Sequence, residues 1–194
     1  MGFFGILLQS IASVELIGFS FVTAWVFGRE YIERTIKDIL ALLVSRTYIV
    51  AAKFVVVIIW CLLLTVILYT VGLLMGWLLH IEGWSFLVLK HETCRYLITS
   101  LLTILLCSPV AFFATYGRGL IAPIGFVIIT LITAQFLAVI GLCPYFPWAI
   151  PGVYSVSGTA EGMQIYTASY VILILTFIIG FMATLYRWRY ADQH

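Results

Sequence analysis

With 194 residues, 64% of them hydrophobic and only 9% charged, the chain carries far less charge than the roughly 25% usual in soluble domains. A soluble core cannot absorb that much apolar surface, which excludes an ordinary soluble domain and makes lipid the natural solvent. Net charge is only +2, with Lys and Arg gathered at the ends of apolar runs, so a nucleic-acid footprint is not indicated.

The first expected span covers residues 3–27, near the roughly 20 apolar residues that one bilayer crossing takes. The start, MGFFGILLQS, has no basic stretch ahead of its apolar run and does not read as a cleavable signal. One acid, Glu15, interrupts the span. An ionised carboxylate in an apolar helix is expensive and usually faces a cavity or a partner, which suggests a group that touches substrate or an ion. The alternative is a wet carboxylate near the outer end of a shifted span. At 1.5 Å per residue Glu15 lies about 18 Å above Phe27.

The stretch Phe27 to Lys53, FGREYIERTIKDILALLVSRTYIVAAK, holds half of the chain's ten basic residues. Within it Ile32, Ile36, Ile39, Leu40 and Leu43 fall on one helical face. Glu30, Glu33, Arg34, Lys37 and Asp38 occupy the rest, so an amphipathic helix is expected over 29–45. Ser45 is placed to cap the next helix. Mixed charge suits docking into a groove of a soluble partner, and positive charge at the membrane surface suits an interfacial helix. Periodicity alone leaves both uses open.

A second span is expected over 49–79, with Gly72 and Gly76 as a weak close-packing signal. The polar patch HIEGWSFLVLKHETCR follows, then a span over 96–116, a turn at Gly117 to Gly119, and a span over 120–142 in which Thr130, Thr133 and Gln135 add slight polarity. Next comes PYFPWAIPGVY, Pro144 to Tyr154. Its three prolines exclude a regular spanning helix, and Tyr145, Phe146, Trp148 and Tyr154 suit a re-entrant or interfacial element with an aromatic belt. The last span is expected over 165–186. The fold class expected is thus an all-α integral membrane protein of about five transmembrane helices in one domain.

Orientation follows from the basic residues. Arg29, Arg34, Lys37, Arg46, Lys53, Arg118, Arg187 and Arg189 fall on one side of a five-span chain, against Lys90 and Arg95 on the other. The charged stretch and the C-terminus are therefore expected in the cytoplasm and the N-terminus outside. The four cysteines show no paired spacing, although Cys94 and Cys143 fall on one membrane face, where a disulfide is conceivable. His80, His91 and Glu92 lack metal-ligand spacing. No phosphate-binding loop is present, so no ATPase site is expected in this chain.

Several motifs resemble a known family. Phe27, Gly28, Glu30 and Tyr31, then Thr35, Ile36 and Lys37, then Val44, Ser45 and Arg46, then Lys53, recur in this order between the second and third spans of type-2 ABC exporter permeases, closest to the bacitracin and lantibiotic-immunity branch. Leu43 stands where that family commonly has Pro. The run Pro144 to Tyr154 is similar to the family's Pro-rich segment before its last span. The resemblance implies a coupling helix that sits in a cleft of an ATP-binding subunit, with Glu30, Tyr31, Glu33, Thr35, Ile36, Lys37, Ile39, Leu40, Leu43, Ser45 and Arg46 as docking residues. It implies an outer gate at Tyr145, Phe146, Pro147, Trp148 and Pro151, with Glu15 as a further substrate or gate residue. The partners implied are two ATP-binding cassette subunits, which hold the ATP and Mg, and a second permease copy or related chain. The family pattern has six spans with both ends cytoplasmic, and a counterpart of the first is expected to be missing here. The rival reading is a non-transporting sensor, scaffold or assembly protein whose amphipathic helix lies on lipid. An integral-membrane enzyme is weaker still, since no acid, base or metal constellation is visible.

Overall fold

The computed structural model describes residues 3–35, 45–78, 86–156 and 165–190. Among the described residues every regular element is helical, as hydrocarbon demands of a backbone that must satisfy its own polar groups. The helices are α1 (Phe3–Ile32), α2 (Arg46–Leu78), α3 (Phe86–Leu105), α4 (Cys107–Tyr116), α5 (Ile121–Ile140), α6 (Ile150–Val156) and α7 (Thr167–Tyr190), with a 3-10 turn at Cys143–Tyr145. Among the described residues four stretches have the length and composition of a membrane crossing: α2, Leu89–Tyr116, α5 and α7. The expected span 3–27 lies within α1, which packs against α2, α3, α4, α5 and α6.

The stretch 96–116 is not one straight helix. Helix α3 begins earlier, at Phe86, and ends at Leu105, and α4 starts at Cys107. Pro109 explains the break, because it lacks an N–H and its ring crowds the carbonyl four residues back, that of Leu105. The Leu106 N–H turns instead to the Thr103 carbonyl at 3.0 Å. Helix α4 then lies across α7, where an added Cβ at Gly180 would meet the Pro109 nitrogen at 2.5 Å. Ser108 Oγ donates to the Phe177 carbonyl at 2.9 Å and seals this crossing.

Helix α1 buries Leu16, Phe19, Ala24 and Phe27, the i, i+3, i+8, i+11 pattern of one helical face. Two clusters form the interior. One joins Phe19 and Phe27 to Phe54, Val57 and Cys61 of α2, to Ala111 of α4 and to Trp188 of α7. The other joins Leu16 to Leu106, Ile150 and Leu173. Helix α5 is peripheral, and Ile121, Ile129, Phe136 and Val139 point outward. Exposed Ile, Phe and Val along a whole face suit acyl chains and would be a liability in water.

The charged stretch departs from the expected helix over 29–45. Residues 29–32 are the end of α1, and Glu33 to Thr35 form a turn. Arg34 adopts a left-handed φ of 57°, which a side chain tolerates only as a single residue and which stops a right-handed helix. The Glu33 N–H bonds the Arg29 carbonyl and the Thr35 N–H the Glu30 carbonyl. Ile36, Lys37, Ile39, Leu40 and Leu43 lie outside the described residues, and with them most of the expected amphipathic face.

Candidate functional site

Chemistry-bearing side chains gather at two levels of α1. The first is where α1 ends and α2 begins. Lys53 Nζ lies 2.6 Å from the Glu30 carboxylate, with both side chains largely buried. It also donates to the Val26 carbonyl at 2.7 Å. The Phe27 and Trp188 rings each lie 5.3 Å from the ammonium, so charge, carbonyl and two π faces replace its lost water. A cation on the last turn of α1 also suits that helix's negative end.

Arg46 does for α7 what Lys53 does for α1. Its guanidinium donates to the carbonyls of Trp188 and Arg189, both at 3.3 Å, which are orphan acceptors at a helix C-terminus. Ser45 stands just before α2 and its carbonyl accepts from Tyr48 at 3.0 Å. Gly28 lets the corner close. A Cβ there would sit 3.0 Å from the Gly119 carbonyl oxygen, so α1 rests directly on the turn between α4 and α5. Tyr31 packs on the interior cluster, and Glu33 pairs with Arg29 at 2.7 Å on the surface.

Of the expected docking residues, the structure therefore brings Glu30 to Lys53 and Arg46 to the Trp188 carbonyl, with Tyr31 packed on the interior cluster. Glu33 and Thr35 lie on the exposed turn. Lys53, Gly28 and Trp188 were not among the expected site residues, although the first two stand in the recurring motif.

The second level surrounds Glu15, which is completely buried. The wet outer-end carboxylate considered above is thus corrected, since Glu15 is buried between helices. Ser100 Oγ lies 2.8 Å from one carboxylate oxygen and 2.9 Å from the other. The Tyr96 hydroxyl hydrogen-bonds the same carboxylate and lies 2.9 Å from the Thr65 carbonyl. Helices α1, α2 and α3 meet at this one side chain. Tyr69 extends the seam, stacked on Tyr96 with ring centroids 5.2 Å apart and hydrogen-bonded to Thr93. Apolar walls would make an unpartnered carboxyl here very costly, and the hydroxyls remove that cost.

The Pro-rich segment lies beside this level. Pro144 falls in the 3-10 turn and Pro151 in the first turn of α6, positions that have no need of a proline N–H. Ala149 N–H bonds the Phe146 carbonyl at 2.9 Å, so Phe146, Pro147 and Trp148 make a tight bend. The Trp148 ring meets Phe126 edge-on at 5.1 Å and Phe146 at 5.6 Å. Ile150 is fully buried against Leu16, the neighbour of Glu15. Tyr145 stays exposed and stacks with Tyr166. The segment is therefore folded back into the bundle rather than laid along its surface. Cys94 and Cys143 are both free thiols, and burial pushes the Cys143 thiol up from its ordinary value.

Among the described residues no group of three or more His, Cys, Asp or Glu could hold a metal ion. The arrangement is that of a multi-pass membrane protein whose polar groups join helices to one another. Comparison with known proteins narrows the class. Residues 8–135 match the family described as ABC-2 family transporter protein. The chain is 30% identical over 184 residues to the bacitracin transport permease protein BCRB of Bacillus licheniformis, covering 93% of this chain and 88% of that one. The chain belongs to the ABC-2 transporter family. It is a permease subunit of an ABC transporter, set in a bilayer and associated with an ATP-binding cassette subunit.

Proposed function

We propose that this permease serves an ATP-driven exporter that moves an amphipathic peptide antibiotic, or a lipid-linked or hydrophobic compound, out of the membrane or cell. The observation that carries this reading is its similarity, along nearly the whole chain, to a protein described as a bacitracin transport permease. The aromatic mouth and the scarcity of charge along the helices support such cargo over a small hydrated ion.

In this reading residues 29–45 dock on the ATP-binding subunit, which holds ATP and Mg. Two such subunits serve two permease chains. The docking segment and the C-terminus face the cytoplasm of a bacterial plasma membrane, and the start of this chain lies outside. Lys53 and Arg46 support that assignment, because they anchor both ends of the segment to helices and thereby let a push on it reach the bundle. Tyr145, Phe146, Pro147, Trp148 and Pro151 form the outer gate. Glu15 acts beside that gate as an internal tie, its carboxyl enclosed by Tyr96 and Ser100.

The test is co-expression with the ATP-binding subunit, then co-purification and a resistance screen against peptide antibiotics. Ile36→Asp and Leu40→Asp are expected to release the ATP-binding subunit and abolish resistance while the permease stays in the membrane. Retention of the complex with coupled ATPase activity in both variants would show that docking lies elsewhere. Unchanged susceptibility of cells expressing the intact pair, across the screen, would remove the cargo assignment.

A further inference from the structure

A groove of 870 Å3 opens between α1 and α2 at the end nearest the Lys53 corner, within the roughly 300–1,000 Å3 of small-molecule sites. One wall is Phe21, Trp25 and Arg29 of α1 at four-residue spacing, about 12 Å long at 1.5 Å per residue, with Glu33 in the turn that follows. Its α2 wall runs antiparallel, from Trp60 to Lys53. Polarity changes in the same direction along both walls. Aromatic rings lie at one end, and paired charges lie at the other.

Trp25 and Trp60 are about half exposed, at 45% and 50%, and tryptophan favours the level where hydrocarbon gives way to head groups. Arg29 lies one turn beyond Trp25 and Glu33 in the turn that ends α1, so a lipid with its chain beside Trp25 brings its head group to them. The two ion pairs there differ in kind. Lys53–Glu30 is buried at 10% and 17% side-chain exposure, and opening it would strand a charge. Arg29–Glu33 is 55% and 43% exposed, and an exposed pair of this kind holds weakly and opens readily. Arg29 spends only its Nε on Glu33, and a guanidinium fork suits phosphate oxygens. Glu33 suits a primary ammonium.

We propose that this groove is a binding site for a zwitterionic aminophospholipid of the surrounding bilayer. Its phosphate sits on Arg29, its ammonium on Glu33, and an acyl chain runs between Trp25 and Trp60. A rim of balanced charge favours such a head group over a purely anionic one. The site is independent of which cargo the exporter carries; it takes only the membrane end of the docking segment, Arg29 and Glu33, and leaves the residues beyond Thr35 to the ATP-binding subunit.

The permease, in complex with its ATP-binding subunit, is reconstituted into phosphatidylcholine vesicles containing increasing fractions of phosphatidylethanolamine or phosphatidylglycerol with brominated acyl chains. Bromine quenches nearby tryptophan, and the share from Trp25 and Trp60 is isolated by difference from Trp25→Phe/Trp60→Phe. Brominated phosphatidylethanolamine is expected to reach half-quenching at about fivefold lower fraction than brominated phosphatidylglycerol, a modest difference in binding free energy. Glu33→Gln is expected to erase that preference, and Arg29→Gln to weaken quenching by both lipids. Equal quenching by the two head groups in the parent protein would reduce the groove to ordinary lipid contact and overturn the proposal. Absence of quenching at these two residues would mean that protein, such as a second copy of the chain, covers the groove, which also overturns it. A preference that persists in both variants would do the same.

Discussion

Lys53 reaches Glu30 at 2.6 Å across the corner where α1 hands the chain to α2. The pair is buried, so its two halves are worth far more together than either is alone. Lys53→Met is expected to cost about 3–5 kcal/mol, because the Glu30 carboxylate is left uncompensated. Lys53→Met combined with Glu30→Gln is expected to recover a large part of that loss. Thermal unfolding in detergent of the two single variants and the double variant measures this coupling. Additive losses would mean that the pair stabilises nothing jointly.

Gly28 and Gly119 differ in what they tolerate, though they touch. An added Cβ at Gly28 meets backbone atoms of Gly119 at 3.0 and 3.1 Å, whereas one at Gly119 meets only the Gly117 oxygen at 4.0 Å. Gly28→Val is expected to destabilise by about 1–3 kcal/mol through overpacking. Gly119→Ala should be tolerated. Unfolding temperature and membrane yield of the two variants decide the matter, and equal stability of both would refute the close approach.

Gly180 predicts a similar effect at the α4–α7 crossing. Its added Cβ would lie 2.5 Å from the Pro109 nitrogen and 2.7 Å from Ser108 Oγ. Backbone cannot rotate away as a long side chain can, so Gly180→Ala is expected to separate the helices at a cost of about 1–3 kcal/mol. Cysteine cross-linking between α4 and α7, read with and without the substitution, reports the separation directly.

Glu15 separates shape from charge. Glu15→Gln keeps an acceptor for Ser100 and a polar partner for Tyr96, and its unfolding temperature is expected to stay near that of the parent. Glu15→Leu removes the acceptor that Tyr96 and Ser100 share and leaves them only the Thr65 and Tyr96 carbonyls, at about 0.5–1.5 kcal/mol for each hydrogen bond lost. Resistance should follow stability: retained in Gln, reduced in Leu. If Gln folds like the parent but loses transport, the charge of Glu15 serves cargo or an ion and the tie is not its main role.

Much of this architecture was legible in the residues because lipid leaves the chain few choices. Apolar runs near 20 residues must become helices, and α2, α5 and α7 lie within a few residues of their expected bounds. The Pro-rich run was readable as an irregular element for the same reason. The break at Leu106 was also available, through Pro109, but a long apolar run conceals an interruption that neighbouring helices repair. Hydropathy has no access to side-chain partners. Glu15 meets Tyr96 and Ser100 across 81 and 85 residues, and no local spacing announces that meeting. Arg46 and Lys53 stood in the motif as positive charges, yet their acceptors, the Trp188 and Val26 carbonyls, are backbone atoms that carry no sequence signal. The end of α1 was misread for a related reason. Helix α1 runs on to Ile32, and a single left-handed Arg34 then stops it without a glycine to mark the place.

Arg46 holds the last turn of α7 while Lys53, two turns further along the same helix, holds Glu30 in the last turn of α1. The base of α2 thus works as a crossbar between two other helices. The described ends of the stretch that joins α1 to α2 are both fixed to that one bar. Torque delivered there would swing α1, α2 and α7 as one lever, and its far arm ends at the level of Glu15.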